Sequence, residues 1–103
     1  MQSKETDSVG SAAKVLCVLE AISGYAVGGI SNTTLSHQLG MPAPAVTRAV
    51  QVLIDKGWAR KDTATGHFHP TPRMGQVFAR VLADINRAKQ ELADIEHNFA
   101  RNT

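Results

Sequence analysis

Arg48 and Gln51 stand three residues apart, with Thr47 beside them and Ala45 just before, in a stretch with helical spacing. These side chains suit the edges of nucleobases. A guanidinium donates two parallel hydrogen bonds to guanine O6 and N7, and a carboxamide pairs with adenine N6 and N7. The methyls of Ala45 and Thr47 suit contact with a thymine methyl. Arg60 and Lys61, with His67 and His69 opposite, offer donors for a phosphate backbone, a contact that positions a protein and makes its affinity salt-dependent. Thr33 and Thr34 stand where a helix would begin, and amides there point at anions. The plainer alternatives are a solvated helix face with Arg48 in a surface ion pair, a charged hairpin, and ordinary helix capping.

Other chemistries find less support. His67 and His69 put two imidazoles on one face of a strand, but no cysteine or carboxylate is placed to complete a zinc site, so no metal is expected. Cys17 is the single cysteine. That excludes an intrachain disulfide framework, fits a reducing cytoplasm and reads as an inert thiol. No phosphate loop or nucleophile elbow is present, and Gly28-Gly29 lacks a strand–loop–helix setting. Neither catalysis nor a cofactor is expected.

The elements that must position these residues follow from periodicity. A chain of 103 residues is one domain with room for an appendage. Val15, Leu16, Leu19 and Ile22 predict a helix over 11–22, capped by Ser8 or Ser11 and ended by Gly24. Ser31 or Asn32 caps a short second helix ending near Leu39, with Gly40 as its left-handed stop. Pro42 and Pro44 permit a new helix to begin but not an old one to continue. The third helix is placed over 44–56, with Val46, Val50, Leu53 and Ile54 inward and Gly57 at its end. Two unequal helices joined by Gly40-Met41-Pro42 form a helix-turn-helix. Residues 58–62 and 67–69, joined by a turn over 63–66, predict a β-hairpin directly after it, which is a wing.

Thr71-Pro72 starts a last helix that nothing interrupts to about Arg101. Met74, Phe78, Val81, Ile85, Ala88, Leu92, Ile95 and Phe99 recur at alternating spacings of four and three, an unbroken heptad seam. A three-helix domain is too small to cover a rod of about 45 Å, so a second copy is expected to. Asp84 would meet Lys89 favourably in a parallel pair while Glu91 repelled Glu96, which leaves parallel and antiparallel both open.

Net charge is +2 over the whole chain. It concentrates in the middle: between Ile30 and Arg73, Arg48, Lys56, Arg60, Lys61 and Arg73 face only Asp55 and Asp62. The polar start has no apolar core of a signal peptide, and no run is long enough to span a membrane.

These residues resemble the DNA-binding domain of the isocitrate lyase regulator (IclR) type of bacterial repressors and activators. The stretch from Ala12 to Ile22 resembles that family's first helix, and Ile30-Ser31 with Leu35, Leu39 and Gly40 its second. Gly40-Met41-Pro42, Val46, Arg48, Leu53 and Gly57-Trp58 resemble its turn and recognition helix. Phe68 and Pro72-Arg73 stand where its wing ends and its linker helix begins. Ala43, Pro44 and Ala45 depart from the polar residues usual at the start of that recognition helix. Full-length members also carry a large effector-binding domain, for which this chain has no counterpart, so no small-molecule effector is expected. The long last helix resembles the multiple antibiotic resistance regulator family in topology only. The short form suits a bacterial or phage regulator.

The expectation is a mainly α chain: a winged helix-turn-helix of three helices and a two-stranded β-hairpin wing, with a long C-terminal dimerisation helix. Residues 1–10 form a flexible tail, 11–71 the DNA-binding domain and 72–103 the dimerisation helix. A homodimer would bind double-stranded DNA through Arg48, Thr47, Gln51, Ala45, Arg60, Lys61, His67, Thr33 and Thr34. It would associate through Phe78, Val81, Ile85, Ala88, Leu92, Ile95 and Phe99. The alternative is a winged-helix adaptor that binds protein through the apolar start of the third helix.

Overall fold

The computed structural model describes residues 10–101. Residues 1–9 of the tail expected over 1–10, Ser8 among them, lie outside the described residues. Helix α1 spans Ser11–Ser23, α2 Asn32–Leu39 and α3 Ala43–Asp55. Strands β1 (Ala59–Lys61) and β2 (Phe68–Pro70) follow, and α4 runs from Arg73 to Arg101.

Helix α1 begins without a side-chain cap: its N-cap is Gly10, and Ser11 is already helical. Its inward face is set by Val18 and Ile22, both fully buried, with Val15 and Leu19 packed against them. Leu16, expected inward, is 61% exposed. The stripe that points in is the one α3 crosses, and Leu16 lies round the helix from it. Ser31 caps α2 by accepting the Thr34 amide at 3.1 Å, and Gly40 closes that helix at φ 62°. Pro42 and Pro44 sit at the start of α3, where amides lack intrahelical partners anyway. Ala45, Val46, Ala49, Val50 and Leu53 form its buried face and, with Val18, Ile22 and Leu35, the core.

The strands pair antiparallel, with Ala59 opposite Pro70, Arg60 opposite His69 and Lys61 opposite Phe68. Gly66, at φ 76°, closes the turn by donating its amide to the Asp62 carbonyl. One further pairing escaped the sequence reading. Ile30 and Phe68 exchange both backbone hydrogen bonds, at 2.9 and 2.8 Å, and so tie the wing to the entrance of α2. A single residue has no alternation pattern to betray it.

Helix α4 is rooted in the domain and then leaves it. The Thr71 hydroxyl donates to the Gly57 carbonyl at 2.5 Å and accepts the Arg73 amide at 3.3 Å. The Arg73 guanidinium stacks 4.9 Å from the centre of the Trp58 ring. Met74 and Val77 are half-buried, and from Phe78 to Arg101 every residue is exposed. The radius of gyration is 19.9 Å, against about 13 Å for a compact chain of this length.

Candidate nucleic-acid interface

Helix α3 presents Ala43, Pro44, Thr47, Arg48, Gln51 and Val52 outward. Arg48 is exposed and belongs to none of the ion pairs among the described residues, where the single pair is Arg87 with Asp84. Its neighbours across the groove to α1 are Ser11, Lys14 and Val15, which line with it a cavity of about 370 Å³. Lys14 therefore adds a second positive charge beside Arg48. Sequence reading had no cue for it, because the two lie on different helices.

Gln51 donates to Asp55 at 2.8 Å, one turn along the same exposed face. Thr47 donates its hydroxyl to the Ala43 carbonyl at 3.1 Å and accepts from the Asn32 carboxamide at 2.9 Å. Asn32 was expected only as a possible cap. It instead links the first residue of α2 to the middle of α3 and fixes the angle between the two helices. The cue was present in its type, but its partner lies fifteen residues on.

Ala45 is a correction. It is 7% exposed and belongs to the core, because positions 45, 46, 49, 50 and 53 share the face turned to α1 and α2. The outward residues at the start of the helix are Ala43 and Pro44 instead.

Successive strand residues point to opposite faces, so Arg60 and Lys61 do not act as one patch. Lys61 is exposed near the tip of the hairpin. Arg60 borders a cavity at the root of α4, with Ser23, Pro72, Met74 and Gly75. The two histidines correct a second expectation. His67 places Nδ1 3.2 Å from the Gly28 carbonyl, and His69 places its own 3.2 Å from the Ala26 carbonyl. His67 is half-buried and His69 4% exposed, so both rings brace the loop before Ile30 rather than face a phosphate. Gly29 is obligatory there. Its φ is +72°, and a Cβ would lie 2.5 Å from His69 Nε2.

At the wing tip, the amide of Ala64 donates to the Asp62 carboxylate at 2.9 Å. That hydrogen bond, helped by the Thr65 amide and by His69 and Arg60, holds the Asp62 pKa below its ordinary value against the opposing effect of desolvation. Thr33 is exposed beside the start of α2. Thr34 is committed to the cap: its amide goes to Ser31, whose hydroxyl donates back to the Thr34 hydroxyl at 2.9 Å. Among the described residues, no three His, Cys, Asp or Glu side chains gather as a metal site. No helix among them is long and apolar enough to cross a membrane.

None of the curated proteins compared with the chain matches it. Solved structures do. An IclR family transcriptional regulator from Brucella abortus superposes with a TM-score of 0.62 at 22% identity, over 76% of this chain and 29% of that one. HmgR from Pseudomonas aeruginosa does so with a TM-score of 0.67 at 29% identity, over 76% of this chain and 33% of its own. This chain thus corresponds to about a third of either protein. Residues 11–63, from the start of α1 into the wing, match the IclR helix-turn-helix domain. By that match over half of its length, and by the winged fold it shares with both structures, the chain belongs to the IclR helix-turn-helix family.

Proposed function

We propose that this chain binds double-stranded DNA sequence-specifically as a homodimer and regulates transcription, with no catalytic step of its own. The observation that carries the reading is the outward face of α3. Arg48 extends there without an ionic partner, beside Thr47 and Gln51, on a helix that Asn32 braces against α2. Arg48 would read guanine and Gln51 adenine in the major groove. Lys61 at the wing, Thr33 at the start of α2 and Lys14 beside Arg48 would meet phosphates. Residues 11–71 would form the DNA-binding unit and 72–103 the dimerisation helix, whose exposed seam carries Phe78, Val81, Ile85, Leu92, Ile95 and Phe99. Dimers of this kind read half-sites about one helical turn apart or a multiple of that.

One observation favours a second reading, an adaptor that binds protein. Ala43, Pro44 and the 44% exposed Val52 give α3 an apolar outer edge. A single experiment separates the two: binding to random duplex DNA over a salt series, followed by selection from a random pool. A steep salt slope and an enriched sequence support the DNA reading. A flat slope with no enrichment supports the adaptor.

A further inference from the structure

We propose that the second copy of this chain lies antiparallel along α4, and that its C-terminal end fills the cavity at the root of the helix. The proposal rests on the homodimer reading and adds its orientation, register and contacts.

Full overlap of two antiparallel seams sets Met74 against Phe99, Phe78 against Ile95, Val81 against Leu92 and Ile85 against Ala88. Each layer then joins a larger side chain to a smaller or more slender one. A parallel pair would stack Ala88 on Ala88, leaving a gap, and Phe99 on Phe99.

The charges of α4 are divided along its length. Its first half carries Arg73, Arg80 and Arg87 against Asp84, and its second half Glu91, Asp94 and Glu96 against Lys89 and Arg101. Antiparallel pairing lays the positive half of one copy on the negative half of the other. The nearest flanking contact runs against this: Glu91 of the second copy approaches Asp84, a like-charge contact that the Arg87 ion pair with Asp84 softens. A parallel pair would set Asp84 against Lys89 favourably but Glu91 against Glu96, and neither of these two glutamates belongs to an ion pair among the described residues.

The root cavity supplies the third argument. It holds about 480 Å³ between the end of α1 and the start of α4, and Arg60, Met74 and Gly75 border it. Gly75 lies inside a helix, where glycine costs about 1 kcal/mol relative to alanine, and nothing stands within 4 Å of where its Cβ would be. In the antiparallel register this bare backbone faces Glu96 of the second copy, and Met74 faces its Phe99. The ring fits the open space, and Glu96 adds a second carboxylate near Arg60, whose charge acts on Asp62 without forming a close ion pair among the described residues. The two domains then stand at opposite ends of the paired rods, about 40 Å apart along the axis. That is close to the span of about 34–36 Å between half-sites one helical turn apart.

The test uses the full chain with Cys17→Ser, carrying either Val81→Cys or Leu92→Cys. Sedimentation shows a dimer, a mixture of the two variants cross-links on mild oxidation, and neither cross-links alone. Leu92→Cys cross-linking with itself establishes a parallel pair and overturns the proposal while the homodimer stands. A dimer that cross-links in no combination overturns it too, since association then lies off the seam. A monomer at every concentration removes the homodimer reading itself. A charge exchange tests the cavity separately. Arg60→Glu and Glu96→Arg each raise the dimer dissociation constant about two- to fivefold, the range of an exposed pair, and together restore it. Absence of restoration overturns the cavity contact.

Discussion

Residues 11–72 turn most of their aliphatic side chains inward, Leu16, Val27 and Val52 excepted, and α4 holds its own out in water. Val18, Ile22, Leu35 and Val46 are fully buried, while Leu92 is 59% and Phe99 72% exposed. The two regions follow different rules of periodicity. In α1 and α3 the apolar stripe is short and meets a crossing helix of the same chain, so the domain closes on itself. In α4, a helix of 29 residues, the stripe keeps a heptad repeat from Met74 to Phe99, and no other described element is long enough to follow it. A contiguous exposed apolar stripe of that length marks an interaction surface. Stability of the domain should therefore be independent of protein concentration, and order along α4 should depend on it.

The largest expected effect breaks the rod. Leu92→Asp with Ile95→Asp places four carboxylates within a paired seam, opposite Val81 and Phe78. Sedimentation should show a folded monomer, and affinity for a two-half-site operator should fall by about 10²- to 10⁴-fold as linkage is lost. A double variant that stays dimeric would move the association surface elsewhere. Helix α1 is a poor substitute, since Val18 is wholly buried and its exposed apolar side chains are only Ala12, Leu16 and Cys17.

The matching change in the domain is Leu53→Ala. Leu53 is 2% exposed within the core of the domain. Its truncation should cost about 2–5 kcal/mol in denaturant unfolding, by the same amount at every protein concentration. Leu92→Ala should instead act through the concentration dependence alone. Equal, concentration-independent losses at both sites would mean that α4 folds as part of the domain and would dissolve the contrast.

The same contrast governs what was legible in the sequence. The helices, their glycine and proline stops, the hairpin and the seam were readable because each has a local signature. Contacts between distant segments were not. Ala45 looks outward because it stands one turn before Arg48, yet the two lie about 60° apart round the helix, and Ala45 falls on the side that faces the core. His67 and His69 looked like phosphate ligands because their types suit that role. Only the fold reveals the carbonyls of Ala26 and Gly28 against their rings. Lys14 beside Arg48 and Asn32 on Thr47 likewise join residues that no pattern in the chain connects.

Within the domain, Arg48 sharpens the comparison by separating stability from recognition. Its side chain is exposed and without an ionic partner, so Arg48→Ala should leave the unfolding midpoint unchanged. Binding should lose about 1–3 kcal/mol, with relaxed preference at one base pair. Retained affinity with an unaltered preference would take Arg48 out of the reading set. Lys61→Ala should instead weaken all sequences alike and flatten the salt slope by about one unit.

The smallest effect sits at the tip of the wing. The Asp62 carboxylate accepts the Ala64 amide, and this hydrogen bond holds its pKa below the ordinary value of 3.8. A carboxyl depressed in the folded state stabilises the fold above its unfolded pKa. That contribution fades as pH falls through the lower, folded value. Because the group is exposed, the contribution is slight and local to the turn. An NMR titration of the Asp62 carboxyl carbon should give a midpoint below 3.8, with the Ala64 amide shifting at the same pH. Asp62→Asn should abolish that amide response and leave the rest of the domain undisturbed down to the same pH. The midpoint should not move on dilution, because every group that sets it lies within one domain. A midpoint at or above the ordinary value would remove the hydrogen bond as its cause. One that moved with protein concentration would tie the wing to the second copy and erase the division between a self-sufficient domain and a partner-dependent rod.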